Sequence, residues 1–110
     1  MATSLLAMLT PLFAAALGRA DFGVSESFFE AGGESLAAAE ILAQIDDALG
    51  VELRYRDFLE APTPARLALT ILVERARQRG SDLGDEIAAL SSEDAAVLLA
   101  ELEQRTLAPR

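Results

Sequence analysis

SFFEAGGESL, residues 27–36, is the stretch on which the fold and role of this chain turn. Two aromatic residues, Phe28 and Phe29, precede the glycine pair Gly32 and Gly33, and Ser35 follows one residue later. Glycine adopts left-handed and otherwise forbidden torsion angles at little steric cost, so the pair permits a tight backbone path. The pattern from Ser35 to Leu49 is helical, and Gly50 stands where such a helix stops. Ser35 is therefore placed at a helix N-terminus, where free backbone N–H groups and the positive end of the helix dipole favour a phosphate on its oxygen. Gly-Gly-x-Ser taken alone is accounted for by an ordinary N-cap after a glycine turn.

Around that helix the side chains sort by face, taking Ser35 as origin and about 100° per residue. Ala38, Ile41, Leu42, Ile45, Ala48 and Leu49 gather in one sector, the predicted core face. Leu36, Ala39 and Ala43 form a second row close beside Ser35, with Asp46 near it and Glu40 and Asp47 on its far flank.

Upstream, residues 4–18 read as a helix interrupted at Pro11, which either kinks it or restarts it with Thr10 as cap; Gly18 is its stop. Residues 19–34 then form a long ordered loop that holds Phe22, Phe28 and Phe29, three of the six aromatic residues. A loop of that length needs packing of its own, and at least one of Phe28 and Phe29 is expected to be buried. Downstream, a short helical turn is predicted around residues 55–60. Thr63 caps a further helix that begins with Pro64 and runs to about Arg79, with Leu67, Ile71 and one or more of Leu69, Leu72 and Val73 inward.

The chain has 110 residues, enough for one modest core, and is 52% hydrophobic, mostly Ala and Leu, the strongest helix formers. With eighteen acids against nine bases, all nine arginine, the formal charge of −9 argues against nucleic acid and for proteins with basic docking patches. There is no Cys and no His, and the sequence holds no Lys. Disulfides, thiolate catalysis, Cys-based zinc sites and Schiff-base chemistry are thus excluded, and the side chain best suited to base work near neutral pH is missing. A nucleophilic Ser35 would need a base within reach, and Glu34 and Glu40 are poor substitutes. No catalytic residue and no metal ligand is assigned. The apolar run at residues 5–17 lacks the preceding positive charge of a secretory signal and is too short to span a bilayer. It is read as the first helix of the domain, with a cytoplasmic location and no membrane association; a signal peptide is the minority alternative.

SFFEAGGESL, followed by AAAEILAQI and then VELRYRDFLEAPTPARLA, resembles the peptidyl carrier (thiolation) domain of nonribosomal peptide synthetases over roughly residues 4–79. Phe28, Phe29, Gly32, Gly33, Ser35, Leu36, Pro62 and Thr63 fill the positions of that family's pattern. Glu26 only approximates an acid two residues before the Phe pair, and Glu34 stands where His or Asp is common. The resemblance implies an all-α fold, a small four-helix carrier-protein bundle of three long helices and one short. It implies 4′-phosphopantetheine esterified to Ser35 by a separate phosphopantetheinyl transferase, with an aminoacyl or peptidyl thioester on the arm. Partners would be adenylation, condensation or thioesterase-type domains that read Glu34, Leu36, Ala39 and Ala43, and the carrier itself would be a monomer that catalyses nothing. A polyketide-type acyl carrier or a non-carrier helical interaction module is the alternative.

The division expected is a carrier domain over residues 1–80, a linker at 81–84 and an acidic helical tail over 85–110. In the tail, Ser91 and Asp94 make a capping-box-like start. Ala95, Leu98, Leu99 and Leu102 then form a narrow apolar stripe. The stripe either docks a partner, through Leu98, Leu99 and Leu102, or folds back on its own bundle. The tail resembles acidic segments that follow carrier domains, and the chain is either a free-standing carrier or a piece of a larger synthetase.

Overall fold

The Ala and Leu bias resolves into six helices in the computed structural model, which describes residues 4–107. They are α1 (Leu5–Ala16), α2 (Ser35–Leu49), α3 (Tyr55–Glu60), α4 (Pro64–Arg79), α5 (Leu83–Ala88) and α6 (Ser92–Leu107). The described residues contain no strand.

α1 runs unbroken through Pro11, whose ring lies on the exposed face. Thr10 does not cap a second helix; its hydroxyl donates back to the Leu6 carbonyl at 3.1 Å. Leu5, Leu9 and Phe13 are fully buried, so the apolar N-terminal run is core-forming helix. The helix ends as Gly18 turns left-handed at φ 67°. The N–H groups of Gly18 and Arg19 then satisfy the carbonyls of Ala15 and Ala14 at 3.2 and 2.9 Å. α2 buries Ala38, Ile41, Leu42 and Ile45 as its periodicity requires. Ala48, at the margin of that sector in the last turn, is instead exposed, and Leu49 only partly buried.

α4 is the spine of the molecule and packs on α1, α3, α5 and α6. Thr63 is its N-cap, accepting from the Arg66 N–H at 3.1 Å, with Pro64 at the first position. Leu67, Leu69, Ile71 and Leu72 are all buried while Val73 is exposed. On a wheel these residues fill an arc of about 200°, wider than the stripe of a helix covered on one side.

The last two helices supply the second cover, packing on α4 across the boundary expected at residues 81–84. The predicted linker at 81–84 is mostly helix start: Asp82 caps α5, accepting from Asp85 N–H at 2.8 Å. Glu86, almost fully buried, accepts from Ser81 Oγ at 2.6 Å and from Arg79 at 3.2 Å. The stripe of α6 faces its own bundle, and Leu98 is fully buried in the core. Leu102 packs partly buried against that core, whereas Leu99, on the margin of the stripe, stays half-exposed. Ser91 Oγ accepts from the Asp94 N–H at 3.2 Å, as a capping start requires. The Asp94 carboxylate, however, accepts from Leu6 N–H of α1 at 3.0 Å, a buried bond across 88 residues of sequence. Ser4 offers that helix start no side-chain cap, so α6 caps α1.

Leu98→Ala is expected to cost about 2–5 kcal/mol. Urea unfolding followed by circular dichroism should show one transition at lower denaturant; unchanged stability would mean that α6 does not hold the core.

Candidate functional site

The site begins in the loop of residues 19–34, and the loop is built on rings. Phe28 is fully buried and lies edge-on to Phe13, Phe58 and Phe29 at 5.6, 5.2 and 5.5 Å between centroids. Its own N–H donates to the Pro62 carbonyl at 2.8 Å, and Ala65 N–H donates to the Val24 carbonyl at 2.9 Å. The Pro62-Thr63 junction is thus the ledge to which the loop is tied. At the loop's outer end Arg19 forms a two-pronged ion pair with Glu26, one contact of which is 3.0 Å. That hydrogen bond from Arg19, and then the Gly23 N–H, hold the exposed Glu26 carboxyl below the usual carboxylate range.

The two glycines do different work. Gly32 has φ +100°, a conformation that side-chain-bearing residues rarely adopt. Gly33 lies flat on the Phe28 ring: a Cβ there would sit 2.2 Å from its nearest ring atom. The Gly33 N–H also closes onto the Phe28 carbonyl at 2.9 Å. The ring and its glycine cover fix where the chain leaves the loop and enters α2.

Ser35 is the first residue of α2 and is exposed. Glu34 is the N-cap but makes no side-chain cap, and the first backbone bond of the helix runs from Ala38 N–H to the Glu34 carbonyl at 3.0 Å. The N–H groups of the first turn therefore lack intrahelical partners and open toward the same side as the serine. An ordinary N-cap serine would spend its oxygen on such an N–H. Ser35 Oγ instead lies 3.0 Å from the hydroxyl of Tyr55 on α3.

Beside Ser35, Leu36 is 74% exposed, and Ala39 and Ala43 are exposed along the same face of α2. Glu34, Glu40 and Asp46 surround that row, also exposed. Tyr55 and Leu59, four residues apart on α3 and so on one face, add further exposed apolar surface. The seven residues assigned to partners thus divide: Glu34, Leu36, Ala39 and Ala43 share this surface, whereas Leu98, Leu99 and Leu102 of α6 belong to or border the core. Tyr55 escaped the sequence reading. Its signal was its rarity, the single tyrosine standing at the start of the short helix. No group of three His, Cys, Asp or Glu among the described residues is placed to hold a metal ion.

The structure thus presents an exposed serine hydroxyl at the open N-terminus of a helix, behind a glycine turn anchored on the Phe28 ring. The chain belongs to the family described as "Phosphopantetheine attachment site", whose model matches residues 4–71. Its relatives include the probable non-canonical nonribosomal peptide synthetase CymA of Salinispora arenicola, 43% identical over 61 residues, 56% of this chain and 1% of the relative. Another is the dimodular nonribosomal peptide synthase of Bacillus subtilis, 44% identical over 61 residues, 56% of this chain and 3% of the relative. The chain therefore spans only a few per cent of the length of these relatives. Among solved structures it is similar to BlmI, a type-II acyl-carrier-protein from Streptomyces verticillus involved in bleomycin biosynthesis. That match has TM-score 0.58 and 30% identity, covering 61% of this chain and 81% of that one. A peptidyl carrier protein solved with the phosphopantetheine transferase Sfp and coenzyme A gives TM-score 0.60 and 27% identity, covering 64% and 92%. The kinship expected from SFFEAGGESL is found in both sequence and structure.

Gly33→Ala should push its new methyl into the Phe28 ring and cost about 1–3 kcal/mol. A lower melting temperature with altered amide shifts at Phe28 and Ser35 is expected; a variant as stable as the parent would remove the ring contact as the anchor.

Proposed function

We propose that this protein is a peptidyl-type carrier that holds an aminoacyl or peptidyl group on a 4′-phosphopantetheine arm esterified to Ser35. It presents that group to partner domains of nonribosomal peptide synthesis and catalyses no step itself. The observation that carries the reading is the position of Ser35: exposed, first in α2, its oxygen uncommitted to capping.

The residues present fit the group. A phosphodiester on Ser35 Oγ meets the unpartnered N–H groups of the first turn of a 15-residue helix and its positive dipole end. Its charge is left in water, because Glu34, Ser35 and Leu36 are all exposed. The arm supplies a terminal thiol that bonds the cargo as a thioester. The chain's own part is to hold Ser35 Oγ outward at one place and to surround it with a surface that partners read. Leu36, Ala39 and Ala43 offer that surface an apolar row, and Glu34, Glu40 and Asp46 ring it with charge that steers basic partners.

The partners proposed are a phosphopantetheinyl transferase and adenylation, condensation or thioesterase-type domains. Support comes from the named relatives, which are peptide synthetases, and from the carrier solved with a transferase and coenzyme A. No helix of the described residues is long and apolar enough to cross a membrane, and the carrier is proposed to act as a cytoplasmic monomer.

Coexpression with a broad phosphopantetheinyl transferase should add one phosphopantetheine to the intact mass, and Ser35→Ala should abolish that gain while leaving the helical circular dichroism unchanged. Modification that survives in Ser35→Ala would overturn the assignment. Leu36→Arg, at a side chain already in water, is expected to leave the melting temperature nearly unchanged and to slow loading or condensation by an order of magnitude or so, on the scale of an interface hot spot. Normal partner kinetics in that variant would remove Leu36 from the recognition surface.

A further inference from the structure

Tyr55 is joined to the attachment serine by a bond that packing does not require. Its ring stands edge-on to Phe29 at 6.4 Å and 78°, and Phe29 stands edge-on to Phe58 at 5.6 Å, so the ring is backed by the core. A phenylalanine would pack equally well there. The hydroxyl has a separate function: it lies 3.0 Å from Ser35 Oγ, linking α3 to the first residue of α2.

Two free hydroxyls can each donate or accept, so the bond has no fixed direction in the unloaded protein. Loading fixes it. Resting on the attachment proposed above, Ser35 Oγ forms a bond to phosphorus and its proton passes to a base of the transferase. The pyrophosphate P–O bond of coenzyme A breaks, and 3′,5′-ADP leaves. Ser35 can then no longer donate, and the new phosphodiester carries a negative charge shared by two non-bridging oxygens next to Tyr55.

We propose that Tyr55 is a positioning residue: it orients the Ser35 hydroxyl before loading and, afterwards, donates its phenolic hydrogen to the phosphodiester, tying the root of the arm to α3. A hydroxyl donating to an anion makes a shorter bond, roughly twice as strong as a neutral one. Loading therefore tightens the α2–α3 contact instead of breaking it. The arm leaves the protein from a fixed root on the side where Leu36 and Leu59 are exposed.

The test uses the full chain loaded by a transferase, as wild type, as Tyr55→Phe and as Val73→Ala, an exposed control on α4. In 31P NMR the phosphodiester resonance of Tyr55→Phe should be displaced from that of the wild type, with relaxation showing a more mobile phosphorus; Val73→Ala should match the wild type. A second measurement needs no variant. The protein has one tyrosine. A 13Cζ-tyrosine label therefore gives one resonance, and it should move when the protein is loaded. A 31P signal that coincides in Tyr55→Phe and wild type, or a tyrosine resonance unmoved by loading, overturns the role of Tyr55 and leaves attachment at Ser35 intact. Loading of Ser35→Ala overturns the attachment itself.

Discussion

The contact between the Phe28 ring and the backbone of Gly33 carries the geometry on which the rest of the site depends. Phe28 sits fully buried among Phe13, Phe29 and Phe58, so its ring cannot shift without moving three others. Gly33 lies so close above it that not even a methyl fits between. Phe28 also ties the loop to Pro62 through its N–H and closes the glycine turn by accepting the Gly33 N–H at its carbonyl. Phe28, Gly32 and Gly33 in one segment and Pro62 and Thr63 in another, distant in the chain, answer to one requirement. The start of α2 must be held rigidly against the core while Ser35 remains outside it.

That requirement is hard on a small domain, because a rigid loop costs conformational entropy that only burial offsets. A 110-residue chain rich in alanine has little apolar volume to spare. The C-terminal helices enlarge the core: Ile87, Leu90 and Leu98 join it, and α4 becomes buried over most of its circumference. Two carboxylates hold them in place. Asp94 supplies the cap that the start of α1 lacks, and Glu86 binds Ser81 and Arg79 beside the end of α4. Both are removed from solvent and hydrogen-bonded, the condition under which a buried acid is tolerated.

What could be read from the sequence was what depends on neighbours in the chain. The face of α2, the Thr63 cap with Pro64 behind it, the glycine stops and the place of Ser35 follow from spacing and local backbone rules. Ala48 marks the limit of such reasoning: periodicity assigns its direction, but only topology decides whether anything lies there. The stripe on α6 showed that one face would be covered and could not show by what. Deciding that takes the bond between Asp94 and Leu6, which spans 88 residues. Tyr55 and Ser35 meet across 20 residues for the same reason, since nothing local to either points to the other.

The covered and uncovered surfaces belong to one division of the molecule. α5 and α6 spend their apolar faces on α4 and on each other, and α6 also reaches the start of α1. Large apolar side chains left in water among the described residues are Leu36, Tyr55, Leu59, Val73 and Leu99. Three of these five lie on α2 and α3, two of them within reach of or next to Ser35 in the chain. An exposed leucine on its own needs no explanation, since much of any protein surface is apolar. Their grouping around one serine does, because exposing them together forgoes burial that a six-helix core this small would otherwise gain. The face kept apolar is the face from which the arm proposed on Ser35 would depart, so a domain that read the arm would also meet Leu36, Tyr55 and Leu59.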